Sequence, residues 1–279
     1  MTTTEQLLTL QEAAAVVGCH YQTLYRRVRS GELNALVAGG TYRIRSSDLD
    51  AWLSERDARK GAVPQRSAHN WSKLVDKLFD VLIAGDSGAA RQQSQRLLDG
   101  GATVADLCDR LYGPTLTRIG AIWRAGNLTV AEEHRASRII EGLLEHISSR
   151  SSKTGPRVGC VVVASAVGDR HSLAAQMVSA GLHVDGFRVS YLGADLPVGE
   201  IVQMAEREQA DVVALSCCVE DRSGISQALT ALAAADFLTI VGGTGIGRTE
   251  ALELGATRYG ASINEAQVLA RELVRSRVS

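Results

Sequence analysis

From Gly155 onward, apolar runs rich in valine alternate with segments of helical periodicity. The four clearest runs read RVGCVVVAS, VDGFRVSYLG, ADVVALSC and FLTIVGG. Continuous apolar runs are typical of strands that are buried on both faces, and their alternation with helices predicts a parallel sheet. Residues 155–279 therefore predict one doubly wound α/β domain, in which ligands bind at the carboxyl ends of the strands.

The rest of the chain predicts two further domains. Residues 71–152 have helical spacing broken by glycine-containing turns, which predicts a four-helix bundle. Residues 1–60 predict helices followed by two short strands around Gly39-Gly40, and a polar linker containing Pro64 separates the two regions. The fold class is thus a multidomain α and α/β protein.

Composition excludes several classes of protein. The formal net charge is −1, so any nucleic-acid contact must come from a local basic patch. The sequence has neither a signal-peptide pattern nor an apolar segment of membrane-spanning length, so we expect a cytoplasmic protein without membrane partners. Five scattered cysteines form no C-x-x-C pair, which indicates neither a disulfide framework nor a zinc site. No pattern indicates an enzyme that uses its own side chains.

Glycines and polar residues follow each predicted strand. The first strand is followed by Gly168, Asp169, His171, Ser172 and Leu173; Gly193 comes after the second, Ser216 after the third, and Gly242 and Gly243 after the fourth. This set resembles the Rossmann-like cobalamin-binding domain shared by cobalamin-dependent methionine synthase, acyl-CoA mutases and light-sensing regulators. The resemblance covers roughly residues 157–275.

The resemblance implies that His171 is the lower axial ligand to cobalt and that the cofactor's nucleotide tail lies beside Ser216, Gly242 and Gly243. Neutral imidazole is a good ligand for a transition metal. Asp169, two residues away, can accept the other ring N–H and so fix the tautomer. The family usually has glycine three residues after the histidine, whereas this chain has Ala174, whose methyl group is expected either to crowd the tail or to shift the helix.

In the helical region, Trp123 is followed by nine residues and then by Glu133-His134. This spacing resembles the cobalamin photoreceptors that regulate carotenoid genes, which are MerR-type transcriptional regulators. The resemblance implies adenosylcobalamin as cofactor, with Trp123 stacked on the adenosyl group and Glu133 and His134 beside it. In those photoreceptors a histidine follows the tryptophan and captures cobalt after illumination. Here Arg124 stands in its place, and arginine is a very poor metal ligand.

The N-terminal segment resembles the excisionase-like, winged branch of the MerR helix-turn-helix group. The expected recognition helix is Tyr21 to Ser30. Between His20 and Arg45 there are five arginines and one acid, a local charge of +4 that is typical of duplex binding. Gln22 and Thr23 are predicted to face base edges, with Tyr21 beside them. The residues predicted to contact phosphates are Arg26, Arg27 and Arg43.

Together these features predict a light-responsive transcriptional regulator that binds double-stranded DNA as a dimer or tetramer, because one small head covers little DNA. Two alternatives stay open. The first is a corrinoid carrier protein for methyl transfer, which also pairs a helical bundle with this α/β domain. The second is a photoreceptor that holds a bilin such as biliverdin beside the cobalamin, with Cys217 and Cys218 near the expected pocket.

Overall fold

The structure is a computed structural model, and it describes residues 7–17, 21–29, 33–38, 41–49, 51–52, 69–150 and 157–278. The chain divides into two compact units, Met1–Ser67 and Ala68–Ser279. The helical region and the α/β region therefore belong to one unit. No helix within the described segments is both long enough and apolar enough to cross a membrane.

The first unit combines short helices with a three-stranded antiparallel sheet of order β1-β3-β2. Its elements are β1 (Leu7–Thr9), α1 (Leu10–Val17), α2 (Tyr21–Arg29), β2 (Leu36–Ala38) and β3 (Thr41–Arg45), followed by helical residues 46–49 and 51–52. The two predicted strands are confirmed. Sequence patterns missed β1, which pairs with β3 from Leu7–Arg45 to Thr9–Arg43. The predicted end of the recognition helix, Ser30, lies outside the described residues.

A small apolar core supports the sheet and helices of this unit. Its buried members come from both helices and from β3, and they include Ala13, Leu24 and Ile44. Helix α1 begins with a capping box, in which the Thr9 hydroxyl accepts the N–H of Glu12 at 3.2 Å and the Glu12 carboxylate accepts the N–H of Thr9 at 2.7 Å. This reciprocal pair fixes the point at which β1 turns into α1.

The second unit begins with the helical region. Its helices are α3 (Trp71–Ala84), α4 (Ser87–Asp99), α5 (Val104–Leu107), α6 (Gly113–Arg124) and α7 (Val130–Arg150). A π-helical turn, Cys108–Tyr112, connects α5 to α6 without a break. The helical spacing of the sequence does not predict this π turn, which is a local departure from regular α-helix. Such a turn places one extra residue in the helix and re-aims the side chains that follow it.

The α/β region contains a five-stranded sheet of order β5-β4-β6-β7-β8, and every neighbouring pair is parallel. The strands are β4 (Cys160–Ala166), β5 (Arg188–Leu196), β6 (Val212–Ser216), β7 (Leu238–Gly242) and β8 (Arg258–Tyr259). The helices are α8 (Ser172–Asp185), α9 (Val198–Arg207), α10 (Ser223–Ala234), α11 (Arg248–Glu253) and α12 (Ile263–Val278). The predicted parallel sheet is confirmed.

Alternate residues of the central strands belong to two separate cores. Val161 and Val163 face a core completed by α8 and α12. Val162 and Ala164 face the opposite core, completed by α9, α10 and α11. Both faces of the sheet are thus covered, which explains why these strands read as unbroken apolar runs.

One part of the strand prediction is wrong. Gly193 was expected to follow the second strand, but it lies inside β5, which continues to Leu196. The register with β4 shifts between Val163 and Ala164, and Gly193 and Asp195 both have positive φ, at 94° and 56°. These irregularities break the alternating pattern of the strand and hide it from a periodicity argument.

The strand order places a crevice at the carboxyl end of β4. The connection after β4 leads to β5 on one side, and the strand that follows β5 in the chain, β6, pairs with β4 on the other side. Reversal of the strand order at this point makes it the expected ligand position in an open α/β sheet. The helical region packs against the same part of the unit, because Met177, Ala180 and Ile263 share its apolar core.

Candidate functional site

The loop after β4 holds a buried carboxylate beside an exposed histidine. The Asp169 side chain is only 3% exposed, whereas that of His171 is 64% exposed. Nδ1 of His171 lies 2.8 Å from Oδ1 of Asp169, and the backbone N–H of His171 donates to the same oxygen at 2.9 Å. The predicted Asp169–His171 contact is confirmed. With Nδ1 occupied, Nε2 is the ring nitrogen left for a ligand.

Other parts of the α/β region hold this loop in place. The second oxygen of Asp169 accepts the backbone N–H of Cys218 at 2.6 Å. The Ser165 hydroxyl, fully buried, donates to the backbone carbonyl of His171 at 3.1 Å. His171 itself occupies the N-cap position of α8. The histidine is therefore oriented by strands β4 and β6 before any ligand binds.

Neither Ser165 nor the contact with Cys218 was predicted from the sequence. Ser165 carries a weak signal, because it is a polar residue inside an otherwise apolar strand. The Cys218 contact uses only a backbone group and joins positions 49 residues apart, so its residue type gives no signal. Cys217 is buried, and Cys218 is partly exposed.

A cavity of about 630 Å³ opens at the carboxyl edge of the sheet, and on this stretch of the chain its described lining begins at Ala174, three residues after His171. It lies between the carboxyl edge of the sheet, helices α8 and α12, and helix α6 of the helical region. Three residues predicted to contact the nucleotide tail line it: Ser216, Gly242 and Gly243. Ala174, which replaces the glycine of the family pattern, also lines it. The cavity retains this volume with the alanine methyl group in place.

Gly242 and Gly243 are needed for the packing of the backbone, as well as for the close approach of a ligand. A Cβ atom at Gly243, whose φ is +116°, would lie 2.3 Å from the carbonyl oxygen of Cys217. A Cβ atom at Gly242 would lie 2.5 Å from the carbonyl oxygen of Gly260. Side chains at either position would collide with neighbouring backbone, so these glycines shape the cavity edge even without a ligand.

The remaining residues predicted to contact the cofactor on the side of His171 make different kinds of contact in the structure. Gly168 has φ +87°, and its N–H donates to Asp195 at 2.8 Å. The backbone carbonyl of Ser172 accepts the Tyr191 hydroxyl at 3.0 Å, and Leu173 packs against the core of the helical region. Gly193 lies inside β5. Their contact with a cofactor stays a prediction.

The residues predicted for the upper face lie at the end of α6 and the start of α7. Trp123 is 43% exposed, and the His134 side chain is 72% exposed. Glu133 is held by the Ser137 hydroxyl, which donates to its carboxylate at 2.7 Å. All three residues lie outside the described lining of the 630 Å³ cavity. Their role over the cofactor also stays a prediction.

In the first unit, α2 carries most of the residues predicted to contact DNA. Tyr21, Gln22 and Arg27 are exposed on this helix, and Arg43 lies on β3. The side chains of Thr23 and Arg26 lie outside the described residues.

Sequence analysis missed two tyrosines near this surface. The rings of Tyr21 and Tyr25 have centroids 6.4 Å apart, and those of Tyr25 and Tyr42 are 6.0 Å apart. The first contact lies within α2, and the second connects α2 to β3.

Comparison with known families divides the chain in the same places. A model described as B12 binding domain matches residues 159–268, a second B12 binding domain model matches residues 74–148, and a helix-turn-helix domain model matches residues 7–57. The chain thus carries cobalamin-binding domains together with a helix-turn-helix domain. This composition is that of a regulator or a corrinoid carrier rather than of an enzyme with catalytic activity of its own.

The relatives of this chain include a transcriptional repressor and corrinoid proteins. The HTH-type transcriptional repressor CarA of Myxococcus xanthus is 34% identical over 205 residues, which cover 69% of this chain and 66% of the repressor. Trimethylamine corrinoid protein 1 of Methanosarcina acetivorans is 24% identical over 202 residues, covering 69% of this chain and 93% of that protein. Among solved structures, the monomethylamine corrinoid protein of Methanosarcina barkeri superposes with a TM-score of 0.60 at 18% identity, over 72% of this chain and 99% of that one.

The donor set at the β4 loop fits a cobalt corrinoid. His171 offers one nitrogen, which suits a metal that brings its equatorial ligands with it in a macrocycle. The cavity at the carboxyl edge of the sheet has a mainly apolar lining, which suits a nucleotide tail. The Asp169 carboxylate contacts Nδ1 of His171 and so orients the imidazole for a metal at Nε2.

Proposed function

We propose that this chain is a transcriptional regulator that binds DNA and responds to light through adenosylcobalamin. The observation that carries the proposal is the His171–Asp169 pair beside the cavity, on a chain that also has a helix-turn-helix domain. The similarity to a transcriptional repressor supports the regulatory part of the proposal. Bound adenosylcobalamin would supply light absorption and a cobalt–carbon bond that light can break.

On the lower face, His171 is the proposed cobalt ligand. Asp169 holds the imidazole by its Nδ1 atom and so leaves the opposite nitrogen, Nε2, directed to the metal. The tail of the cofactor is proposed to enter the cavity beside Ser216, Gly242 and Gly243. These residues bind the same part of the cofactor whatever its upper ligand.

On the upper face, Trp123, Glu133 and His134 are proposed to contact the adenosyl group. The indole of Trp123 offers a stacking surface to adenine, and its exposure leaves that surface available. The Glu133 carboxylate can accept hydrogen bonds from ribose hydroxyls. These contacts favour one position of the helical region, and their loss on illumination removes that preference.

The DNA-binding part of the proposal concerns α2 and β3. Gln22 and Thr23 are proposed to read base edges, and the arginines to contact phosphates. Because one small head buries little DNA surface, we propose that a dimer or tetramer binds the operator. A shift of the four-helix bundle then changes the spacing of the winged heads and releases the DNA.

The test is to load the full chain with adenosylcobalamin in darkness and record absorption, sedimentation and DNA retention before and after green light. The proposal expects a changed spectrum, a changed sedimentation coefficient and reduced DNA retention. Identical sedimentation and DNA retention in the dark and illuminated samples would remove the light response while leaving cobalamin binding intact.

A corrinoid carrier for methyl transfer is the second candidate. The similarity to trimethylamine corrinoid protein 1 over 93% of that protein favours it. The discriminating measurement is the relative affinity of the apoprotein for methylcobalamin and adenosylcobalamin. A carrier binds the methyl form at least as tightly, whereas the proposed regulator prefers the adenosyl form through Trp123.

A further inference from the structure

A carboxylate of the helical region reaches the start of a helix in the α/β region. Asp109 lies in the π-helical turn, and its two oxygens accept the backbone N–H groups of Ile263 at 2.8 Å and Asn264 at 3.2 Å. The donors stand 154 and 155 positions further along the chain. A negative charge is favourable at a helix N-terminus. Asp109 therefore ties the π turn directly to α12.

Helix α12 already has a local cap of its own. The Ser262 hydroxyl accepts the N–H of Glu265 at 3.1 Å, and the Glu265 carboxylate accepts the N–H of Ala261 at 2.8 Å. This pair begins the helix without help from elsewhere. The two bonds to Asp109 come in addition, so their main effect is to fix the helical region against α12.

The tied segment is also a wall of the cavity. Residues 260–263 and Ala266 line the cavity, and Asp109 lines it from the side of the helical region. A group that fills the cavity thus touches the segment whose N–H groups Asp109 holds. Burial raises the pKa of Asp109, while the N–H groups of Ile263 and Asn264 act in the opposite direction. The contact is therefore partly shielded from water, where hydrogen bonds to a charge are strengthened.

Helix α12 is in turn bound firmly to α8, which begins at the proposed cobalt ligand. A Cβ atom at Gly181 would lie 2.3 Å from Cγ2 of Ile263, so the two helices meet at a glycine. The Gln267 amide donates to the Gly181 carbonyl at 2.8 Å, and the Arg271 guanidinium pairs with Asp185 at 2.7 Å. Helices α8 and α12 are thus packed tightly together behind the wall of the cavity.

We propose that Asp109 is a positioning residue that transmits filling of the cavity by a corrinoid's nucleotide tail to the helical region. A tail in the cavity restrains residues 260–266, and the bonds to Asp109 pass that restraint to the π turn and to α6. The helical region then responds to the tail beneath the corrin ring as well as to the ligand above it. This inference rests on the proposed binding of cobalamin.

The test compares two corrinoids by hydrogen–deuterium exchange in the full chain. Hydroxocobalamin has the nucleotide tail, and dicyanocobinamide has the corrin ring without it. In the native chain we expect hydroxocobalamin to slow exchange in residues 104–124 roughly tenfold more than cobinamide, the size expected from a hydrogen bond to a charged group. In Asp109→Asn this additional protection falls to less than about twofold.

Two further variants separate docking from helix capping. Asp86 is also a capping carboxylate of the helical region, and it accepts the N–H of Ala89 at 2.8 Å within its own helix. Asp86→Asn keeps a good N-cap residue and should behave like the native chain. Asn264→Pro removes one donor from the opposite side, at a first-turn position that tolerates proline, and should lose part of the additional protection.

Equal protection of residues 104–124 by the two corrinoids in the native chain would overturn the inference. So would full additional protection in both Asp109→Asn and Asn264→Pro. A desalted protein that retains neither corrinoid in its absorption spectrum overturns the proposed function and this inference with it. Retained corrinoid with equal protection overturns the role of Asp109 alone.

Discussion

The two proposed faces of the cofactor site are built in different ways. On the lower face, Asp169 is buried and holds both the His171 ring and the Cys218 N–H, so the histidine is oriented by the protein alone. On the upper face, Trp123 and His134 are exposed at the end of one helix and the start of the next. The proposed lower face is therefore organised in advance, whereas the proposed upper contacts depend on the ligand.

This comparison has a functional consequence under the proposed role. A face that is organised in advance contributes the same affinity for every form of the cofactor. A face that gains its contacts from the upper ligand can distinguish one form from another and can change when that ligand is lost. Substitutions on the two faces should therefore differ in kind as well as in size.

The largest effect is expected from His171→Ala, which removes the proposed cobalt ligand. Affinity for adenosylcobalamin and hydroxocobalamin should fall alike, by more than the roughly 100-fold upper range found for outer-shell partners of a metal. Titration calorimetry or absorption titration measures both affinities. His183→Ala, on the same helix, is the matched control and should bind as the native chain does. Native affinity in His171→Ala would show that another group holds the cobalt.

Asp169→Asn should lower the affinity for both adenosylcobalamin and hydroxocobalamin by about tenfold, because the imidazole loses the charge of its orienting partner. The asparagine retains the size of the side chain and one acceptor oxygen, so the fold should persist. Binding is measured as for His171→Ala, with circular dichroism to check the fold. If only the affinity for adenosylcobalamin falls, Asp169 acts on the upper ligand, and the proposed division between the two faces is wrong.

Trp123→Ala should act on one form of the cofactor only. Loss of the stacking surface should lower the affinity for adenosylcobalamin by about two- to tenfold and leave the affinity for hydroxocobalamin unchanged. Trp123→Phe keeps an aromatic ring and should retain most of the affinity. Competition between the two cobalamins measures the preference directly. An equal loss for both would place Trp123 in the fold of the helical region instead of over the adenosyl group.

The smallest expected effect is on the pH dependence of the unfolding free energy, through the contact between Asp195 and the N–H of Gly168. The N–H of Gly168, and secondarily Arg170, hold the pKa of Asp195 below its ordinary value. A lowered carboxyl pKa contributes stability above the unfolded-state pKa, and that contribution is lost as the pH falls through the folded-state pKa. Asp195→Asn should therefore be slightly less stable than the native chain at neutral pH.

The stability difference should vanish once the pH has fallen through the lowered pKa of Asp195, where the native carboxyl is also protonated. Urea unfolding at several pH values gives this difference. A difference that stays constant down to acid pH would mean that the charge of Asp195 does not hold Gly168.

The α/β region could be predicted from sequence because burial on both faces forces unbroken apolar strands, as in Val161–Val163. The Asp169–His171 contact was predictable because both residues lie on one short loop. The β1 strand was not, since three residues give no period. The contact from Asp109 to Ile263 was also beyond prediction, because it depends on how two regions pack rather than on either local pattern.

The π-helical turn Cys108–Tyr112 has a geometric consequence for everything that follows it in the same helical stretch. One additional residue rotates the downstream part by about 100° around the helix axis, relative to an uninterrupted helix. Asp109 sits within the turn and Trp123 lies three turns beyond it, so their angular relation is set by that single insertion. A one-residue deletion here would swing the indole to another side of the cylinder while leaving helix content almost unchanged.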